Sequence, residues 1–194
     1  SENVPFNLEA DSLNAMVLGE DCTPGKPEFD IFIKEVTKEI TIKAGQKCTA
    51  VRRIFVPENK MEDVWKSIAK ELDKTVIGNP LNDKVRMGSL AGMDQREEVK
   101  GQVQKLLACS QLLYGSLDSV AVIDADAQYG AFMSPMLLMN STPFQSEEPH
   151  NIEAFGPVST LMPYQSMDEA IELSKKGKGS LCSSIITSSP KNAK

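Results

Sequence analysis

The stretch Glu28–Pro57, EFDIFIKEVTKEITIKAGQKCTAVRRIFVP, decides the fold of this chain of 194 residues. Apolar side chains recur at steps of three or four in its first half, which predicts an amphipathic helix over Glu28–Lys43. The closing run Val51–Val56 predicts a buried strand, and the apolar run Asn14–Leu18 predicts another strand upstream. Strand, helix and strand in this order indicate a β-α-β unit, whose two strands lie parallel in one sheet.

The same alternation continues along the chain. Helical spacing predicts further helices, and apolar runs predict further strands; the helices are Met61–Leu72, Gln95–Leu113 and Met167–Lys175, and the strands are Val120–Ile123, Phe132–Met139, Val158–Met162 and Ser180–Thr187. The polar, proline-containing segment Gln145–His150 is interpreted as an internal hinge. The sequence therefore predicts a single α/β domain with a largely parallel sheet flanked by helices.

Composition argues against several classes of protein. The net charge of −6 is dispersed, with no Lys/Arg stripe to neutralise successive phosphates, so we expect no nucleic-acid partner. No run approaches the roughly 18 apolar residues of a membrane span, and the first residues do not resemble a signal peptide. Four cysteines without a CxxC pair and one histidine predict no metal site, and free thiols suit a cytoplasmic location.

Cys48 is the candidate nucleophile. Gly45 allows a left-handed turn that ends the preceding helix, so Cys48 is expected on a turn just before a strand. The alternative is a small buried apolar side chain, because free cysteine is often buried. Cys22, Cys109 and Cys182 lack this sequence context and are interpreted as structural.

Three motifs stand in a fixed order: Leu8-Glu9, Gly45-Gln46-Lys47-Cys48 and Glu153-x-Phe155-Gly156-Pro157, with Cys48 following Glu9 by 39 residues. In these motifs the chain resembles the aldehyde dehydrogenase superfamily. Two lesser stretches agree, since Met87–Leu90 resembles a family loop and Gly130–Pro135 resembles a family strand. The resemblance covers nearly all of the chain and implies a catalytic domain over residues 1–194. It implies that the dinucleotide-binding domain is absent, because family members build that domain mostly from sequence upstream of the Leu-Glu motif.

The resemblance also implies a role for each motif. Cys48 would be the nucleophile and Glu9 the general base that activates water; the alternative for Glu9 is a solvated surface charge. Glu153 would accept hydrogen bonds from the nicotinamide ribose, and Phe155 would flank the nicotinamide ring; the alternative for this segment is a turn with an aromatic anchor. The implied cofactor is NADP or NAD, with NADP favoured.

A departure narrows the resemblance. Ala10-Asp11-Ser12 follows Glu9 where most of the superfamily has Gly-Gly-Lys. The sequences of Leu8–Asn14, Ala44–Ala50 and Ala154–Pro163 are similar to the dehydrogenase half of bifunctional phenylacetate-degradation ring-opening proteins. In those proteins a hydratase-like domain, expected to lie outside this chain, opens an oxepin-CoA ring. The dehydrogenase then oxidises the CoA-linked semialdehyde.

Other functions remain open at this stage. A cysteine hydrolase would need a histidine beside the thiol, and the chain has only His150; a thiolase-like transferase would need further partners. A stand-alone semialdehyde dehydrogenase of another pathway is an alternative. So is a noncatalytic fragment that only folds and oligomerises. In each dehydrogenase case we expect a homo-oligomer, because the family's catalytic domain supplies much of the subunit contact.

Overall fold

A computed structural model describes residues 11–191 of the protein. Six strands and five α-helices are found in this range. In chain order they are β1 Asn14–Leu18, α1 Pro27–Thr41, β2 Val51–Pro57, α2 Met61–Leu72, α3 Met93–Leu106, β3 Gln111–Tyr114, β4 Met136–Met139, α4 Glu148–Asn151, β5 Val158–Tyr164, α5 Met167–Lys175 and β6 Ser183–Ile186. Two short 3₁₀ segments, Ile42–Gly45 and Glu58–Lys60, lie on either side of β2.

The six strands form one sheet with the order β3-β4-β5-β2-β1-β6. The pairs β4–β5, β5–β2, β2–β1 and β1–β6 are parallel, and only the edge strand β3 is antiparallel to its neighbour β4. Parallel strands need long crossover connections, which the helices supply. The predicted fold class, a largely parallel sheet flanked by helices, is confirmed.

Apolar side chains cover both faces of the sheet, as expected where helices pack on each side. On one face, α1 and α2 bury Phe32, Val36 and Ile68 against Ile54 and Leu161, among others. On the other face, α5 packs over the half that contains β1 and β2, and α3 packs over the half that contains β4. Successive strand residues point to opposite faces, so nearly all of β1, β2 and β5 is buried.

Parallel strands begin at a common edge, and this positions the site. The short segments that enter β1, β2, β5 and β6 contain Ser12, Cys48, Phe155 and Leu181, respectively. Because these four strands are contiguous in the sheet, the four entry segments lie side by side at its amino edge.

Three predicted elements are wrong in extent or type. The helix expected over Gln95–Leu113 ends at Leu106, and its last residues form the separate strand β3, because β4 offers an antiparallel partner far along the chain. Val120–Ile123 is not a strand; it has only an isolated bridge from Ile123 to Gly78. The strand expected over Phe132–Met139 begins only at Met136, immediately after Pro135, which has no N–H to donate to a neighbouring strand.

Smaller corrections concern two boundaries and the hinge. Helix α1 ends at Thr41, two residues before the predicted Lys43, and the last strand is limited to Ser183–Ile186. The expected hinge is wrong: part of it forms the short helix α4, and His150 is 1% exposed. Anchoring of His150 inside the protein ties this segment to the sheet.

Candidate functional site

A pocket of about 330 Å³ lies at the amino edge of the sheet, among the entry segments of β1, β2, β5 and β6. Helix α3 closes one side of it. Its lining residues are Asp11, Ser12, Cys48, Gln95, Glu98, Glu153, Phe155 and Leu181. Three of the four site residues expected from the sequence, Cys48, Glu153 and Phe155, therefore meet in one pocket.

The turn that carries Cys48 has an unusual backbone. Lys43, Ala44 and Gly45 all have left-handed φ values, of 51°, 52° and 70°, and such a run is costly for the two residues that have a Cβ. Gly45 also packs against the Glu-x-Phe-Gly-Pro segment, since a Cβ built on it would lie 2.0 Å from the carbonyl oxygen of Gly156. The turn leaves Cys48 exposed and outside regular structure, as predicted.

The buried side-chain amide of Asn14 holds this turn in place. Asn14 Nδ2 donates to the carbonyl oxygens of Cys48 at 2.8 Å and Ala50 at 3.0 Å. Its Oδ1 accepts from the backbone N–H groups of Leu181 and Cys182, each at 3.0 Å. One side chain thus joins the entry segments of β1, β2 and β6, and its hydrogen-bonding groups are satisfied although it is fully buried.

Gln46 connects the same turn to α3. Its Oε1 accepts from the backbone N–H of Ala91 at 2.8 Å, and its Nε2 lies 3.5 Å from Oε1 of Gln95. Gln95 and Glu98 project from α3 into the pocket. The glutamine of the Gly-Gln-Lys-Cys motif therefore has a structural role, which is to hold the turn against the start of this helix.

Glu153 is held by two donors. Its Oε1 lies 3.3 Å from Nε of Arg52, its Oε2 accepts from the backbone N–H of Ser12 at 3.0 Å, and its side chain is 7% exposed. The carboxylate is thus paired and hydrogen-bonded although it is buried, as buried polar groups in proteins usually are. A polar, acceptor-only group thus lies at the wall of the pocket in a fixed orientation.

Arg52 makes further contacts around this carboxylate. Its Nη1 donates to the carbonyl oxygen of Gly156 and its Nη2 to that of Gly45, each at 2.7 Å. The guanidinium carbon lies 5.4 Å from the centre of the Phe155 ring. Burial lowers the pKa of Arg52, and the neighbouring Glu153 carboxylate opposes that shift.

The other predicted residues have different outcomes. Glu9 lies outside the described residues, although Asp11 and Ser12 in the same segment line the pocket. Cys22 is buried and Cys109 is half-buried, and neither lines this pocket. Cys182 is close to the turn that carries Cys48, with its Sγ 3.8 Å from the carbonyl oxygen of Thr49.

His150 does not serve a nucleophile in the structure. Its Nδ1 lies 3.2 Å from Nη1 of Arg53, which can only donate, so Nε2 carries the proton and donates to the carbonyl oxygen of Pro143 at 2.8 Å. Both ring nitrogens are thereby used, and His150 is not among the pocket residues. The cysteine-hydrolase alternative therefore lacks the histidine that it would need beside Cys48.

Sequence reasoning missed Arg52 and Asn14. The signal for Arg52 was two consecutive arginines inside a strand whose other residues are apolar or proline, because arginine is almost never fully buried unless it is paired. Asn14 opens the apolar run of β1, where an amide is equally unusual. The pocket residues Gln95 and Glu98 were also missed, since nothing in a polar helix face marks the residues that meet a distant turn.

The described residues offer neither a metal cluster nor a membrane-spanning helix. Over residues 11–191, no group of three or more His, Cys, Asp or Glu side chains is arranged to hold a metal ion. Among the helices in that range, none combines the length and the apolar character needed to cross a bilayer.

The fold and the pocket define a class: an α/β protein that presents a cysteine, a buried carboxylate and an aromatic ring at the amino edge of a parallel sheet. Residues 2–194 match the aldehyde dehydrogenase family. The chain belongs to this family.

Three relatives illustrate the match. A 3,4-dehydroadipyl-CoA semialdehyde dehydrogenase from Aromatoleum evansii is 36% identical over 187 residues, which are 96% of this chain and 36% of that protein. Protein MaoC from Klebsiella aerogenes is 43% identical over 105 residues, 53% of this chain and 29% of that protein. A solved structure of betaine aldehyde dehydrogenase from Staphylococcus aureus in complex with NAD+ superposes with a TM-score of 0.77 at 18% identity, over 93% of this chain and 35% of that one. The chain thus spans about a third of the length of the relatives it matches.

Proposed function

We propose that residues 1–194 form the catalytic domain of a longer NAD(P)-dependent aldehyde dehydrogenase. The observation that carries this proposal is the meeting of Cys48, Glu153 and Phe155 around one pocket in a chain that belongs to the family. The coverage of the relatives, about a third of their length, supports a dinucleotide-binding domain elsewhere in the polypeptide.

The chemistry begins at Cys48. The Cys48 thiolate attacks the aldehyde carbon to give the alkoxide of a thiohemiacetal, which becomes a thioester on the enzyme when hydride leaves its carbon. A nicotinamide cofactor, when bound, would supply the hydride acceptor. Glu9 then takes a proton from water, the hydroxide attacks the thioester carbon, and the carboxylic acid departs as the Cys48 thiolate is restored. Asp11 and Ser12, just after Glu9 in the chain, line the pocket and support this role for the segment.

The residues around the pocket fit a nicotinamide nucleoside. The Glu153 carboxylate only accepts hydrogen bonds, which suits a pair of ribose hydroxyls, and Phe155 offers an aromatic face for a flat ring. Arg52 and the Ser12 N–H keep the carboxylate oriented before anything binds. We favour NADP over NAD because of the resemblance to the ring-opening proteins.

A CoA-linked semialdehyde is the proposed substrate, and phenylacetate degradation the proposed pathway. The name of the Aromatoleum relative, a CoA-linked semialdehyde dehydrogenase, supports the substrate, and the resemblance to the ring-opening proteins supports the pathway. The four free cysteines suit a reducing cytoplasm, where we place the enzyme.

The test separates nucleophile from base in the longer polypeptide. Cys48→Ser replaces the thiol with a hydroxyl that is hardly ionised near neutral pH, so NAD(P)H formation should collapse. Glu9→Gln keeps the size of the side chain and removes the base, so the first turnover should survive while thioester hydrolysis slows by roughly a hundredfold. Stopped-flow absorbance of NAD(P)H resolves the burst from the later phase.

The controls use the other cysteines. Cys22→Ser and Cys109→Ser should keep the burst, because neither thiol lines the pocket. A full burst in Cys48→Ser would refute the proposal, and wild-type hydrolysis in Glu9→Gln would remove Glu9 as the base. Turnover of simple aldehydes with no preference for CoA-linked ones would favour a stand-alone semialdehyde dehydrogenase of another pathway.

A further inference from the structure

Arg52 lies between two segments that line the pocket, the turn that carries Cys48 and the segment that carries Glu153 and Phe155. One of its neighbours is Gly45, in the turn that precedes Cys48, and the others are Glu153, Phe155 and Gly156 in the segment before β5. All three side-chain hydrogen bonds of Arg52 are therefore directed at these two loops. The adjacent Arg53 points to the opposite face of the strand, where it binds the carbonyl oxygens of Leu13 and Leu173.

We infer that Arg52 is a positioning residue that fixes the Glu153 carboxylate and locks the nucleophile turn to the cofactor segment. The inference rests on the proposed function, because it assigns a task to Glu153 that only a cofactor would use. Arg52 does not line the pocket, so it acts through its neighbours and not on a bound molecule.

Geometry shows why arginine is needed. The guanidinium is a planar fork with five N–H donors, and here Nε, Nη1 and Nη2 each reach a different acceptor. Lysine has the same charge on a single nitrogen and cannot span acceptors that belong to three residues. The side chain of Arg52 is 4% exposed, so water cannot replace a lost donor at low cost.

The packing of the two loops explains what is locked. Gly45 has no room for a Cβ because the Gly156 carbonyl oxygen lies against it, and Gly156 in turn faces Val99 of α3. Arg52 donates to the carbonyl oxygens of both Gly45 and Gly156, and the Glu153 carboxylate balances its charge.

The first test measures amide exchange by NMR in Arg52→Met, Arg52→Lys and the control Arg86→Met, which changes an exposed arginine bonded only to carbonyls near it in the chain. In Arg52→Met the Ser12 amide, which donates to Glu153, and the Ala50 amide, which closes the nucleophile turn, should exchange at least tenfold faster. Amides in the middle of β2 and β5 should stay protected. Acceleration spread evenly over the sheet, or no acceleration at Ser12, would overturn the inference.

The second test is a double-mutant cycle between Arg52→Met and Glu153→Gln in the longer polypeptide. Each single change should raise KM for NAD(P) by roughly ten- to a hundredfold, and the double variant should be no worse than the poorer single one. Additive losses would overturn the role of Arg52 and leave the proposed function intact. An unchanged KM in Glu153→Gln would instead refute the cofactor role of Glu153 and, with it, this inference.

Arg52→Lys keeps the test decisive if Arg52→Met does not fold. It retains the charge and loses the fork, so we expect KM for NAD(P) to rise several-fold with kcat within about twofold of the wild type. Wild-type values for both parameters and for Ser12 exchange would refute a positioning role.

Discussion

Both the backbone conformation and the packing at position 45 require glycine. Its φ of 70° is accessible to glycine, and the Gly156 carbonyl oxygen occupies the place of a side chain. Lys43 and Ala44 adopt similar angles without glycine's freedom, which stores backbone strain just before Cys48. Strain of this kind persists only where the surroundings fix it, and here Gln46, Asn14 and Arg52 do so.

Gly45→Ala should therefore be severely destabilising. The added methyl group would collide with backbone atoms and favour a different φ, so the free energy of unfolding should fall by about 3 kcal/mol or more. Gly101→Ala is the matched control, because Gly101 lies within α3 with no atom near the place of its Cβ; it should gain about 0.5–1 kcal/mol. Urea denaturation followed by circular dichroism measures both, and similar values for the two variants would contradict the argument.

Cys48 should be the most reactive of the four thiols. Desolvation raises the pKa of the buried Cys22, of the half-buried Cys109 and, although it is only partial there, of Cys182, which lowers the thiolate fraction of each near neutral pH. Cys48 is exposed on its turn. Brief treatment with iodoacetamide and peptide mass mapping should find Cys48 modified first, and faster labelling of Cys182, the other exposed thiol, would count against the assignment.

At the scale of elements, the His150–Arg53 contact links α4 to the centre of the sheet. Burial lowers the pKa of His150 below its ordinary 6.5, and the nearby Arg53 acts in the same direction against the opposing Pro143 hydrogen bond. The unfolded chain therefore binds a proton at a pH where the folded protein does not. Stability conferred by neutral His150 is complete above about pH 6.5 and is lost as the pH falls toward and through its folded pKa.

His150→Gln should flatten this dependence. Glutamine can accept a hydrogen bond from Arg53 but does not titrate. The melting temperature of the variant should therefore change less between pH 7 and pH 5 than that of the wild type. The pH-dependent part of the unfolding free energy should therefore be smaller in the variant than in the wild type. Differential scanning calorimetry at several pH values measures it, and parallel curves for the two proteins would show that another group controls the acid side.

The elements that sequence patterns predicted well are those with strong local signals. Helices Met61–Leu72 and Met167–Lys175 have the predicted bounds, and β1 and β2 are where the apolar runs stand. The errors fall where a distant partner decides: Gln111–Tyr114 could extend a helix but pairs with β4, and Val120–Ile123 has β-branched residues but forms only an isolated bridge with Gly78. Helical or strand tendency is a weak prior that tertiary pairing overrides.

The candidate site was predictable only in part for a related reason. Motif order singled out Cys48 and the Glu153–Phe155 segment, and parallel strands explain why they meet at one edge. Arg52 and Asn14 act through side-chain geometry that no spacing rule contains. Glu9 remains a prediction, because it lies outside the described residues.

At the scale of the whole molecule, several large apolar side chains remain uncovered. Leu81 and Tyr129 are 89% and 80% exposed, and the edge strand β6 is itself poorly buried. Uncovered apolar surface and a free parallel edge favour self-association. We expect a dimer or a concentration-dependent oligomer, and sedimentation velocity over a wide concentration range would refute this if the chain stayed monomeric throughout.

The hydrogen bonds of Asn14 can be completed only late in the synthesis of the chain. The groups that bind its Oδ1 come from Leu181 and Cys182, 167 and 168 residues further along the chain. A ribosome adding about 5–20 residues each second needs on the order of ten seconds to pass from the nucleophile turn to these residues. During that time the support beneath Cys48 is incomplete, so a nascent chain carries the thiol well before it can carry the pocket.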